Sequence, residues 1–238
     1  MTEGNVSEMA AASQVFDDSS LVFAFVHDLR TYLRTILTRI QLVQNSTAAL
    51  LPQEDQSMLE EAAAAARNIN GLLTAMVAYT DGPLGGDENL RLLLRGLLME
   101  GKAALTESGA DVEVKNDLDV RVPDGLKRVL KELLTNACRF RSGDRPLRIV
   151  VTSRLAAGNP ENPDAVELAV ADNGIGVDPE CLEKIFAPFY RLHSRDEFPG
   201  YGLGLATCRR IVTGWGGTIA AEPSPEHGLT VRIIVPIA

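Results

Sequence analysis

The 238-residue chain contains no apolar run of the roughly 18 residues that cross a bilayer as a helix, so no direct membrane insertion is expected. Its N-terminus carries Glu3 and Glu8 and no basic segment ahead of an apolar stretch, which argues against a secretory signal peptide. Cations are in deficit, 23 Lys and Arg against 32 Asp and Glu, for a net charge of −9. Phosphate backbones are bound by clustered cations, so nucleic acid is not the expected partner. Cysteine is scarce: Cys138, Cys181 and Cys208 are far apart, odd in number and without a C-x-x-C pair. That argues against a disulfide framework and a zinc site, and leaves reduced, buried thiols in a cytoplasmic protein as the expectation. The 45% apolar and 23% charged fractions are ordinary for a globular protein, and the length suffices for one large domain or two small ones.

What is present starts after a polar lead-in, residues 1–19. Val22, Val26, Leu29, Leu33, Ile36, Ile40 and Val43 then recur at alternating steps of four and three, the seam of a helix packed along its length. This predicts a helix over residues 21–44, entered through Asp17-Asp18-Ser19-Ser20. Asn45-Ser46-Thr47 and Pro52 break the pattern, and a second helix is expected over 53–79 with Leu59, Ala62, Ala66, Ile69, Leu73 and Met76 on its seam. A hairpin spanning residues 20–81 cannot bury both seams alone, so a homodimeric four-helix bundle is the expected assembly. The run Asp81-Gly82-Pro83-Leu84-Gly85-Gly86-Asp87 reads as a linker, placed at 82–88, ahead of a second domain at 89–238.

In that second domain helices are expected over 90–105, over 124–140 (opened by Pro123), near 179–185 and over 204–214. Strands are expected at 111–116, 119–122, 147–154, 166–171, 218–221 and 230–235, with a polar loop at 156–164. The fold class is α+β: a helical hairpin followed by an α/β sandwich.

Three segments of the second domain carry chemistry. On the 124–140 helix, Leu126, Val129, Leu130, Leu133 and Ala137 make an apolar face, and Arg128, Glu132, Asn136 and Arg139 a polar stripe. The stripe reads either as a solvated face or as a site where the Asn136 oxygen meets Mg²⁺, a hard cation, with Arg139 near phosphates. Asp172-Asn173-Gly174-Ile175-Gly176 follows a strand and has the look of a hairpin turn, but Gly176 has no purpose in a two-residue turn. The alternative is a backbone that approaches a flat ligand, with the Asp172 carboxylate accepting from an adenine amino group. Gly200-Tyr201-Gly202-Leu203-Gly204 leads into a helix, and backbone N–H groups there can cradle phosphate. No G-x-G-x-x-G and no G-K-[ST] is present, so neither a dinucleotide fingerprint nor a P-loop is at hand.

In this order and spacing the three segments resemble the N, G1 and G2 boxes of GHKL-type ATP-binding domains. Phe186-Ala187-Pro188-Phe189-Tyr190 resembles the F box of the same family, and residues 190–199 its ATP lid. Val26-His27-Asp28-Leu29-Arg30-Thr31-Tyr32-Leu33-Arg34 is similar to the phosphoacceptor box of sensor histidine kinases. The resemblance covers nearly the whole chain and is nearest to the bacterial phytochrome-type kinases.

The resemblance implies an ATP-dependent protein histidine kinase of a two-component system. His27 would take the γ-phosphate, Asp28 would orient its ring and accept its proton, and Thr31 would position a water for dephosphorylating the partner. Asn136 would bind Mg²⁺ and Asp172 the adenine. Gly174, Gly176, Gly202, Leu203 and Gly204 would line the nucleotide, with Arg139, Arg191 and His193 near its phosphates. The implied partners are a response-regulator receiver domain, a second copy of the chain, and a sensory domain that is separate or lies outside this sequence. Two positions depart from the family pattern. Tyr32 stands where many members have proline, so the first helix should run straight. Glu132 stands where many have asparagine, and its carboxylate would serve either as a base or as a water-mediated metal contact. Two rival readings are a non-catalytic scaffold with a vestigial pocket and a kinase of the same ATPase class acting on serine; the latter lacks a His-Asp-x-x-Thr helix.

Overall fold

The computed structural model describes residues 19–47, 51–81, 85–107, 110–116, 118–157, 164–194, 197–225 and 227–237. Most of the expected lead-in, residues 48–50, the first part of the expected linker, most of the 156–164 loop and two residues of the 190–199 segment lie outside these, whereas Asn45-Ser46-Thr47, expected to break the first helix, continue it as its last turn. Two compact units divide the chain, Met1–Asp81 and Gly82–Ala238.

The first unit is a pair of helices, α1 (Ser19–Thr47) and α2 (Gln53–Thr80). At 29 and 28 residues they are each about 43 Å long at 1.5 Å per residue. Their shared seam buries Val26, Leu33, Ala66 and Leu73, with Val22, Leu29, Leu37 and Val77 packed against it. This corrects two details of the periodicity reading. Leu37, not Ile36, continues the seam of α1, and Ala63, not Ala62, is buried on α2. Ile36 and Ile69 are exposed. Each helix carries two apolar stripes, one spent within the hairpin and one facing outward, and the four-three alternation runs across both. No proline interrupts α1, and the Thr31 and Thr35 hydroxyls bond back to the carbonyls of His27 and Thr31.

The second unit runs β1 (Asp87–Asn89), α3 (Leu90–Glu107), β2 (Asp111–Lys115), β3 (Arg121–Pro123), α4 (Leu126–Arg139), β4 (Arg148–Ala157), β5 (Asp164–Asp172), two single 3-10 turns (Pro179–Cys181 and Lys184–Phe186), α5 (Gly204–Gly214), β6 (Thr218–Ser224) and β7 (Gly228–Pro236). A mixed five-stranded sheet has the order β2-β4-β5-β7-β6, parallel only between β2 and β4, and β1 pairs with β3 in a separate antiparallel ribbon. The central strand β5 shows why the sheet is covered on one face. Val166, Leu168 and Val170 point into a core shared with Leu90, Leu94 and Leu97 of α3, the apolar face of α4, and Cys208, Ile211 and Val212 of α5. Between them Glu167 points the other way, bonded by Arg154 of β4 and Arg232 of β7. Alternation along a strand puts those two sets on opposite faces.

Two expectations for this unit are corrected. Pro123 does not open α4; it ends β3, and Gly125 precedes the helix in a left-handed conformation at φ 93°, which a side chain would strain. Glu88 of β1 accepts the Lys127 N–H in the first turn of α4, so the helix is capped from a neighbouring strand. The expected short helix near 179–185 is instead the two 3-10 turns, the first opened by the Asp178 side chain accepting from Glu180 N–H at 2.9 Å.

Candidate phosphoacceptor and nucleotide site

On α1 the His27 and Asp28 side chains are 81% and 75% exposed, so both are open to an approaching reactant. His27 Nδ1 lies 3.4 Å from Asp28 Oδ1. In the tautomer whose Nδ1–H donates to the Asp28 carboxylate, Nε2 is the ring nitrogen with the available lone pair. Thr31 follows one turn on, its hydroxyl donating to the His27 carbonyl at 3.2 Å. Arg30 Nη2 donates to Thr74 Oγ1 at 3.0 Å, tying this stretch of α1 to α2.

The other candidate residues come together at one end of the second unit. The apolar face of α4 is buried as its spacing requires, which turns Glu132, Asn136 and Arg139 outward along one stripe. The start of α5 lies against that stripe. A Cβ added to Gly204 would sit 3.0 Å from Glu132 Oε2 and 3.6 Å from Asn136 Nδ2. One added to Gly200 would sit 3.2 Å from Arg139 Nη1, and Arg139 Nη1 also donates to Asn136 Oδ1 at 3.4 Å.

Asp172 closes the far side. Its Oδ1 accepts from Gly174 N–H at 2.8 Å and from Leu229 N–H at 3.2 Å. Both donors use the same oxygen, which leaves Oδ2 for a further donor. Burial pushes the Asp172 carboxyl above the usual carboxylate range, against the opposing pull of those two backbone donors. The turn after Asp172 is anchored to the end of α4 by Ile175 N–H donating to Phe140 O at 3.0 Å.

Glycine at 174 is required by the protein itself: a Cβ there would lie 2.3 Å from the Phe140 carbonyl oxygen. Gly228 is in the same situation, since its Cβ would lie 2.1 Å from the Asp172 carbonyl oxygen. Nothing local in the sequence marks Gly228, Leu229 or Phe140 as parts of this end of the fold. Gly176 has φ 76°, and Leu203, next to the glycines, is buried and receives the Thr207 hydroxyl on its carbonyl at 2.8 Å.

Between the Asp172 turn and α5 runs a segment held by its own side chains. Phe186 is fully buried, with the Arg209 guanidinium 4.4 Å above its ring and Glu183 pairing with Arg209 at 2.7 Å. The His193 and Phe198 rings meet in a tilted arrangement, 5.0 Å between centroids; His193 lies 6.2 Å from Phe140, which itself meets Phe198 at 5.1 Å. Arg191 is bonded to carbonyls of this segment, at His193, Phe198 and Gly200. No cluster of three or more His, Cys, Asp or Glu suited to a metal occurs among the described residues. No helix of the described residues is long and apolar enough to cross a membrane.

Asp172 at the end of the central strand, the turn anchored to the end of α4, and the glycine loop set against the polar stripe of α4 thus belong to one end of the second unit. The family model described as histidine kinase-, DNA gyrase B-, and HSP90-like ATPase matches residues 121–238. Phytochrome-like protein Cph1 of Synechocystis sp. is 30% identical over 222 residues, a match covering 90% of this chain and 29% of Cph1. The catalytic domain of the histidine kinase ThkA matches with TM-score 0.52 at 27% identity, covering 63% of this chain and 94% of that domain. The fold of full-length ShkA, crystallised with AMPPNP, matches with TM-score 0.64 at 22% identity over 92% of this chain and 46% of ShkA. The chain belongs to the sensor histidine kinases, with a GHKL-type ATPase domain at its C-terminal end. It spans less than a third of the length of the first curated relatives it matches.

Proposed function

We propose that the chain is an ATP-dependent protein histidine kinase that phosphorylates its own His27 from MgATP and passes the phosphoryl group to an aspartate of a response-regulator receiver domain. The observation that carries this reading is the exposed His27–Asp28 pair, with Nδ1 held toward the carboxylate at 3.4 Å, in a chain that also carries the ATPase domain. Nε2 attacks the γ-phosphorus, the bond to the β,γ-bridging oxygen breaks, and ADP leaves. The proton on Nδ1 passes to Asp28, so the phosphoramidate forms uncharged at the ring. In the second half-reaction the phosphoryl group moves from Nε2 to a carboxylate oxygen of the partner, and the imidazole regains a proton. Thr31, one turn from His27, is the residue assigned to orient a water that removes the phosphoryl group from the regulator.

On the nucleotide side Asp172 Oδ2 accepts from the adenine amino group. Gly176, Gly202, Leu203 and Gly204 border the nucleotide, and Arg139 faces its phosphates. The donor set fits Mg²⁺. Asn136 and Glu132 offer hard oxygens beside Gly204, and a cation with so few protein ligands is completed by phosphate and water oxygens. Those two residues would hold the ion, which supplies charge neutralisation during phosphoryl transfer. A second copy completes the phosphoacceptor unit as a four-helix bundle. The support is an outward apolar stripe on α1, Phe25, Tyr32, Ile36 and Val43, at steps of seven, four and seven and 42% to 68% exposed. We place the protein in the cytoplasm, signalled by a sensory domain outside this sequence.

The test is incubation of the chain and of His27→Ala with Mg²⁺ and ATP labelled at the γ-phosphate. Acid-labile label on the wild type alone is expected. Label that persists on the variant refutes His27 as the acceptor, and an unlabelled wild type favours a scaffold with a vestigial pocket.

A further inference from the structure

We propose that Arg191 is a positioning residue that clasps the segment between the F-box turn and α5, and that it does not bind the phosphates that the family resemblance assigns to it. The inference rests on the nucleotide-binding reading above. A guanidinium recognises phosphate by presenting two parallel N–H donors along one edge. Both usable edges of Arg191 are taken by backbone. Nε and Nη2 each reach the His193 carbonyl at 3.3 Å; Nη2 also donates to Phe198 O at 2.9 Å, and Nη1 donates to Gly200 O. Four of its five N–H groups are thereby directed at three carbonyls of one segment.

The stem adds to this. The Arg191 Cγ lies 3.1 Å from where a Cβ on Gly202 would be, so the side chain runs along the glycine loop that leads into α5. The clasped segment is docked outward as well. Its His193 and Phe198 rings pack at tilted angles against each other and against Phe140, the C-cap residue of α4. Arg191 therefore sets the position of Gly200 and Gly202 relative to the stripe that carries Asn136 and Arg139. Releasing it would cost nucleotide affinity through loop ordering, which is blind to the number of phosphates, whereas removing a γ-phosphate ligand would weaken ATP and spare ADP.

The experiment compares the full chain with Arg191→Gln and Arg191→Lys by calorimetric titration of MgATP and MgADP. Amide hydrogen exchange of the nucleotide-free proteins is followed in parallel. Lysine keeps the charge, but a single ammonium cannot bridge three carbonyls. Both variants are expected to lose about tenfold in affinity for ATP and ADP alike, which is about 1.4 kcal/mol. Exchange in residues 192–194 and 197–200 is expected to rise while α4 keeps its protection. A loss confined to ATP and repaired by lysine overturns the proposal, as does unchanged exchange of the segment in both variants. If the wild type binds neither nucleotide, the kinase reading fails, and the exchange comparison still decides whether Arg191 holds the segment.

Discussion

Asp172→Asn separates the two jobs that the Asp172 carboxyl performs. Oδ1 supports the turn by accepting Gly174 N–H at 2.8 Å and Leu229 N–H at 3.2 Å. An asparagine keeps a carbonyl oxygen for both donors, so the turn survives. The second oxygen, which in our reading accepts from the adenine amino group, becomes an NH₂. That removes a charge-assisted hydrogen bond and sets two donors face to face. Together these cost about 3 kcal/mol, roughly a hundredfold in the Kd for MgATP.

Stability should move the other way. Burial holds the Asp172 carboxyl above the usual carboxylate range, so the folded protein favours the protonated form more than the unfolded chain does. The stability tied to protonation is fully present below the unfolded value and is lost as pH rises through the folded value. At neutral pH the wild type therefore bears the cost of a buried charge that asparagine lacks. The variant should melt no lower than the wild type at pH 7, with any advantage shrinking as the pH approaches about 4. Calorimetric titration with MgATP and melting curves at the two pH values check both halves. An asparagine variant that binds MgATP within threefold of wild type refutes the adenine role. One that melts well below wild type at neutral pH refutes the account of the turn.

Gly228→Ala should lower stability by about 2–3 kcal/mol, because its Cβ would meet the Asp172 carbonyl oxygen at 2.1 Å and β7 would have to move off β5; an unchanged urea midpoint would contradict this. Glu167, held below the usual carboxylate range by hydrogen bonds from Arg154 and then Arg232, contributes stability above the unfolded carboxylate value that is lost as pH falls through the folded one. In Glu167→Gln the acid side of the stability curve, read from urea midpoints between pH 7 and 3, should be flatter. Ile36→Asp puts a charge into the outward stripe of α1 and should convert a dimer to a monomer in light scattering, with melting of the ATPase domain unchanged.

The candidate site is partly legible in the sequence alone. On α4 one residue type per face follows from a 3.6-residue repeat. The five apolar positions named from spacing are the five buried ones, and the stripe of Glu132, Asn136 and Arg139 follows from them. The hairpin seam was less legible. Two apolar stripes on each helix give the same four-three alternation, and only packing selects Leu37 and Ala63 over Ile36 and Ala62. The start of α4 is not legible locally for a different reason: Pro123 is a good first-turn residue, but it is the neighbouring strand β1 that supplies the cap through Glu88.

By itself the amino-acid sequence determined the elements with a strong period, the glycine loop before α5 and the histidine–aspartate pair on α1, because each depends on residues within a turn or two of one another. Tertiary structure decided what needs chain segments far apart to meet. Gly228 must be glycine only because β7 lies against β5, where Leu229 N–H reaches an Asp172 side chain 57 residues earlier. Arg191 looks from its neighbours like a cation awaiting phosphate. Only the folded segment, by bringing the carbonyls of His193, Phe198 and Gly200 within reach of one guanidinium, gives its donors another use.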